Sequence, residues 1–258
     1  MKNIWLENKL IIIDKGRHPV RGFLSYYISI LTSFKHLTQS GFSLEDIRVD
    51  PYIFYTYGEA SNWFKKDKIA FAGLEDSIFY STDSWNIDPW PTNKQLDLLR
   101  YKEYFDYNLK TQQYLANNIP NIQNAIGIHF RGTDHYHTDR VELDKYIDRV
   151  IEKMYNDGYD TVFVATDEDG ILEQIYNALP DISIIHNNTI KSSNGISVFD
   201  KDMSAEDKIE SGRQVLLDSH CLAKCDTVFA KLSNVNYYSR ILNPELEVVY
   251  LDKGSTVR

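Results

Sequence analysis

The sequence predicts an α/β protein whose second half is a doubly wound parallel sheet. Three observations predict it. Short apolar runs recur at 125–130, 161–165, 182–185, 227–230 and 246–250, each bounded by polar residues or glycine. Between them lie amphipathic stretches long enough for helices of three or four turns. Several of the runs end in clusters of side chains that carry chemistry, the placement open α/β sheets use for their ligand sites.

Taken in order, the chain opens with a strand over 10–13, followed by Asp14-Lys15-Gly16-Arg17. A helix over 23–38 follows Gly22, with Phe23, Tyr27, Ile30, Leu31, Phe34 and Leu37 spaced near the 3.6-residue period. Gly22 is either a close backbone approach to a ligand or only the start of this helix. A second strand is expected over 52–57, with shorter ones near 69–71 and 78–80. The stretch 81–91 holds Trp85, Trp90 and two prolines and reads as irregular surface. A helical pattern returns over 93–116 and breaks at Asn117-Asn118-Ile119-Pro120-Asn121, which sets the expected domains at 1–120 and 121–258. The tyrosines and tryptophans of 52–107 either line a binding groove or pack a core.

The second half alternates cleanly. Strand 125–130 leads to helix 142–157, which Gly158 stops. Strand 161–165 leads to helix 168–178, and strand 182–185 to a polar loop over 187–201. Ser204 caps a helix to about 223, with Glu206 and Asp207 in its first turn. Strand 227–230, helix 233–242 and strand 246–250 finish the alternation.

A net charge of -9 excludes a general nucleic-acid partner, which wants a basic surface. Two cysteines, Cys221 and Cys225, are too few for a disulfide framework and fit a reducing compartment. No signal peptide is visible, and no apolar run approaches the ~20 residues of a membrane span. The chain reads as cytoplasmic and soluble, where the sequon Asn187-Asn188-Thr189 has no consequence.

Three polar clusters follow three strands, so a doubly wound sheet would bring them to one edge. The first is the loop after 125–130, with His129, Arg131, Thr133, Asp134, His135, His137 and Asp139. The second is Asp167-Glu168-Asp169. The third is Lys231-Leu232-Ser233-Asn234 at a helix start. Ser233 and Asn234 would offer hydroxyl, amide and backbone N–H groups to a phosphate, and Arg131 a bidentate fork. Asp167 or Asp218 would accept bonds from a ribose or base. The histidines with Asp134 and Asp139 form an alternative metal site, built on His129, His135 and His137, for a metal-dependent hydrolase. Asp167-Glu168-Asp169 also reads as a DxD manganese motif, or as the acidic start of the next helix.

These motifs, His129-Phe130-Arg131-Gly132-Thr133-Asp134, then Ala165-Thr166-Asp167, then Asp218-Ser219-His220 with Asp226 and Ser233-Asn234, resemble those of the α1,6-fucosyltransferase and nodulation fucosyltransferase family. The resemblance covers the second half in three ordered motifs and the first half only faintly. It implies a GT-B-like architecture of two facing Rossmann-like domains with parallel sheets, acceptor side first and donor side second. It implies GDP-fucose as donor, a glycan acceptor, no metal, and inversion at the sugar carbon. By the same resemblance Arg131 holds the pyrophosphate with His129 beside it, Ser233 and Asn234 bind phosphate, and Asp218 holds the guanine. Asp139 stands where the family has a glutamate proposed as general base, and His135 where it has a lysine. Gly132 replaces a second arginine. Another nucleotide sugar, or a non-catalytic sugar-binding module, remains the alternative.

Overall fold

The computed structural model describes residues 11–14, 23–54, 57–70, 78–81, 98–132, 140–189, 203–252 and 255–257. Gly22, His135, His137 and Asp139 lie outside them, as do Trp85 and Trp90. The chain divides into two compact units, Met1–Asn117 with Ala205–Gly212, and Asn118–Ser204 with Arg213–Arg258.

In the first unit β1 (Ile11–Asp14) leads to helix α1 (Phe23–Gln39), followed by β2 (Ile47–Val49) and β3 (Ile78–Ser81). The three strands pair in parallel in the order β2-β1-β3. Helices α2 (Leu99–Tyr104) and α3 (Leu109–Asn118) follow. The aromatic residues of this unit are its core. Phe64 stacks on Phe105 with ring centroids 4.2 Å apart, and Phe23 lies 4.6 Å from Trp63 and 4.9 Å from Phe54. Two of the polar tips that go inside are bonded to backbone: Tyr27 donates to the Phe105 carbonyl at 3.0 Å and Trp63 Nε1 to that of Tyr57 at 3.2 Å. Among the described residues of 52–107, therefore, packing accounts for Tyr57, Trp63, Tyr101 and Tyr107, while Tyr52 faces solvent.

Two expectations fail here for local reasons. Residues 51–54 form a turn, because the Asp50 carboxylate accepts the Tyr52 N–H at 2.7 Å and its carbonyl accepts from Ile53. The strand lies just before it, at β2. The helical pattern over 93–116 is broken after Tyr104, because Asn108 caps a new helix through the Thr111 N–H at 2.9 Å.

The second unit follows the predicted alternation closely. Its elements are β4 (Ala125–Phe130), α4 (Leu143–Asp157), β5 (Thr161–Thr166), α5 (Ile171–Ala178) and β6 (Ser183–His186). They continue with α6 (Ala205–Leu222), β7 (Thr227–Ala230), α7 (Asn234–Leu242), β8 (Glu247–Tyr250) and β9 (Ser255–Val257). The sheet order is β6-β5-β4-β7-β8-β9, parallel except for β9, which runs antiparallel to β8 and was not expected. β4 is buried along its whole length, as a central strand covered on both faces must be. From β4 the chain winds through β5 to β6, then returns to β4's other side at β7. The strand order therefore reverses between β4 and β7, the topological switch point where open sheets bind ligands.

The first turns of α6 belong to the first unit and the rest to the second. Gly212 marks the packing of the early part: a Cβ there would lie 2.7 Å from Trp63 Cη2 and 2.9 Å from its Cζ2. In an exposed helix, glycine to alanine gains up to about 1 kcal/mol. Here the ring is buried and cannot swing away, so Gly212→Ala should instead cost about 1–3 kcal/mol. Urea unfolding of the two proteins checks the sign; a stabilised variant contradicts this packing.

Candidate functional site at the switch point

Parallel register places the ends of β5, β4 and β7 side by side. His129 pairs with Ala165 on one side and Ala230 on the other. Arg131, Asp167 and Lys231 thus leave adjacent strands at one edge, and two of the three predicted clusters meet there fully within the described residues. The first cluster is described only as far as Gly132 and again from Arg140.

A buried chain of hydrogen bonds joins β4 to the start of α7. The Asn236 side-chain amide donates to the Lys231 carbonyl at 2.8 Å, which turns its oxygen toward Ser233. Ser233 Oγ donates its single proton to Asn236 Oδ1 at 2.5 Å. The same oxygen accepts the Val235 N–H at 3.2 Å, capping α7, and lies 3.3 Å from His129 Nδ1. With its proton already committed, Ser233 must accept from His129, so Nδ1 carries the imidazole proton and Nε2 presents a lone pair. Burial, and then the neighbouring Arg131 guanidinium, push the His129 pKa down to about 3. His129 is therefore a neutral acceptor at physiological pH. It can receive a hydroxyl or amine proton from a ligand but gives none to a phosphate. Ser233 is equally committed, and it is only 1% exposed. Beside Arg131, this edge offers an anion Asn234, half-buried at the first helical position, and the backbone of the α7 start. The turn before α7 is braced from the turn after β8, where Asp252 Oδ1 accepts the Leu232 N–H at 3.3 Å.

The acidic cluster does not start the next helix. α5 begins at Ile171, after Gly170 in a left-handed conformation with φ of 76°. Asp167 instead turns to β4 and accepts the Gly132 N–H through Oδ1 at 3.2 Å. Glu168 fills the space beside Gly132: a Cβ at position 132 would lie 1.3 Å from its Oε2. Its other oxygen holds Arg140 at 3.1 Å, with that guanidinium 5.5 Å from the centre of the Phe130 ring. Any larger residue at 132 would displace Glu168 from Arg140. The space beside Gly132 thus holds a carboxylate that is paired with the Arg140 guanidinium.

Asp218 lies half-buried on α6, where its Oδ1 accepts a bond from Asn187 at 2.8 Å. Two other members of the third motif work elsewhere. Asp226 accepts the Ala125 N–H at 3.1 Å, at the amino end of β4 and so on the opposite edge of the sheet. His220 packs its ring 6.3 Å from Tyr238 between α6 and α7. Cys221 and Cys225 are buried free thiols, and burial raises both, Cys221 to about 12, so neither is a ready nucleophile. Among the described residues no group of three His, Cys, Asp or Glu is arranged to hold a metal.

Sequence reading missed Asn236, Arg140 and Asn187. Only the first had a local signal, since Ser233-x-x-Asn236 has the spacing of a capping box. Arg140 and Asn187 act through partners that lie about thirty residues away.

The His129 shift predicts a pH effect on stability. Its folded pKa lies below the ordinary 6.5, so the unfolded chain binds one more proton between about 3 and 6.5. The wild type should lose about 1.4 kcal/mol per pH unit from this group on acidification through that window. Urea titrations between pH 4.5 and 7 should show a shallower slope for His129→Gln, and equal slopes contradict the buried neutral imidazole.

No protein family and no curated protein matches the chain by sequence. Solved structures match it by fold. A NodZ α1,6-fucosyltransferase co-crystallised with GDP superposes with a TM-score of 0.57 over 96% of this chain and 97% of its own, at 14% identity. Fucosyltransferase NodZ from Bradyrhizobium gives 0.56, over 96% and 98%, at 14% identity. POFUT1 in complex with GDP-fucose gives 0.51, over 91% and 93%, at 10% identity. The chain spans nearly the whole of each, and it has the α/β, GT-B-like fold of these fucosyltransferases.

Proposed function

We propose that the chain is an inverting, metal-independent glycosyltransferase that moves fucose from GDP-fucose to a glycan hydroxyl. The observation that carries this reading is the meeting of Arg131, neutral His129 and the α7 N-terminus at the switch point of a parallel sheet. The likeness in fold to structures holding GDP or GDP-fucose supports it.

In such a transfer the sugar–phosphate bond breaks and negative charge grows on the departing diphosphate. Arg131, with Asn234 and the first N–H groups of α7, stabilises that charge more in the transition state than in the bound donor. His129 takes a proton-bearing group of the nucleoside or sugar, and Asp218 reads the base. The acceptor hydroxyl loses its proton to Asp139, with His135 as the other candidate base, both in the loop after β4. Gly22 is proposed as a further donor contact. Residues 121–258 are the donor side and 1–120 the acceptor side.

Position 132 favours one second reading, a transferase for a different nucleotide sugar, because Glu168 brings negative charge where the resembling family has an arginine. A metal-dependent hydrolase on His129, His135 and His137 would lose activity with a chelator, whereas the transferase keeps it. Arg131→Ala should lower kcat for GDP-fucose by about 10²–10³ with the fold intact by circular dichroism. Near-normal turnover in that variant removes Arg131 from the chemistry. Asp139→Asn should slow transfer and leave GDP affinity almost unchanged; loss of GDP binding would make Asp139 a ligand contact instead of the base.

A further inference from the structure

Beyond β5 the carboxyl edge continues to the end of β6, where Asn187 leaves the strand. Its Nδ2 donates to Asp218 Oδ1 at 2.8 Å and lies 3.6 Å from Cys221 Sγ, one turn further along α6. The backbone around Asn187 is held on both sides. His186 is paired in register with Val164, and the Thr189 hydroxyl donates to the carbonyl of Thr166, the last residue of β5, at 3.4 Å. Asn187 and Asp218 are both half-buried, so the pair is neither sealed in the core nor a loose surface contact. Beneath them Cys221 is fully buried. Burial keeps its thiol protonated, so Asp218 is the one charged member of the trio.

An amide cannot ionise, and its N–H fixes both the plane of the carboxylate and one of its oxygens. A carboxylate carries about four lone-pair sites, and the bond to Asn187 takes one of them and fixes the plane in which the others point. A carboxylate held in one plane is matched by two neighbouring N–H donors, the fork arrangement that makes such pairs selective. Among the common nucleobases only guanine presents this edge, through N1–H and its 2-amino group. Adenine, cytosine and uracil each offer one such donor there.

We propose that Asn187 is a positioning residue that holds Asp218 as the reader of the guanine edge and thereby sets base selectivity. This rests on the GDP-sugar reading above. It adds a residue from the β6 turn to the donor site, and it gives the side chain of the sequon a structural task.

The test is calorimetric titration of the full chain with GDP, IDP and UDP, since IDP differs from GDP only by lacking the 2-amino group. The wild type should prefer GDP to IDP by about tenfold or more, the effect of losing one member of a bidentate pair. Asn187→Ala and the near-isosteric Asn187→Asp should each bring that ratio within about twofold, because Asp218 loses the Asn187 amide that fixes its plane. UDP affinity should stay unchanged, which a general loss of structure would not allow. A variant with a wild-type melting curve that keeps the full GDP-to-IDP preference overturns the proposal, as does a wild type that binds GDP and IDP equally. A wild type that does not select GDP over UDP overturns the donor reading itself.

Discussion

The hydrogen bond between His129 Nδ1 and Ser233 Oγ spans the point where the strand order of the second sheet reverses. It ties the last turn of β4 to the first turn of α7, the two segments that would face a bound nucleotide from either side. Each neighbour in the relay is committed by the next: Lys231 fixes Asn236, Asn236 takes the Ser233 proton, and Ser233 in turn fixes the imidazole. Removing a middle member would leave buried polar groups unmatched, at about 1–3 kcal/mol each. The relay also decides what chemistry the site offers, because a neutral imidazole with its proton turned inward is an acceptor. Positive charge at this edge comes from Arg131 and the helix terminus instead.

On the other side of β4 the same logic of matched neighbours produces a different solution. Gly132 leaves room that the Glu168 side chain fills, and Glu168 then holds Arg140 over Phe130. The Arg140 side chain is 40% exposed, so this ion pair contributes little stability and is screened by salt. Its consequence is positional. It ties together the segments that follow β4 and β5, alongside the bond from the Gly132 N–H to Asp167.

Much of the second unit was legible in the sequence. Its central strands β4, β5 and β7 are buried apolar runs and most of its helices are amphipathic, so periodicity and burial agree, and nearly every boundary falls within a residue or two. The first unit was harder to read because its aromatic residues pack on all sides and erase that period. Asp50 and Asn108 decide a turn and a helix break there through single side-chain bonds that hydropathy does not register. In the site, the strand ends were legible but the division of labour was not. Ser233 and Asp167 read as ligand contacts from residue type, and the fold gives each a structural bond that residue type did not announce, one capping a helix and the other a strand exit. Asp226 shares a motif with Asp218 and sits on the opposite edge, because α6 ends between them and Asp226 directly precedes β7, at the amino end of the strands. Sequence spacing does not say which edge a residue reaches until the helix end and the next strand are placed.

In the proposed function the switch-point edge between β4 and β7 holds a guanine nucleotide without a metal. Calorimetric titration of the wild type with GDP, UDP and CMP in excess chelator puts this to the test. Saturable binding of GDP is expected, with UDP and CMP weaker by about tenfold or more. Binding that appears only when manganese is added, or that favours UDP, contradicts it.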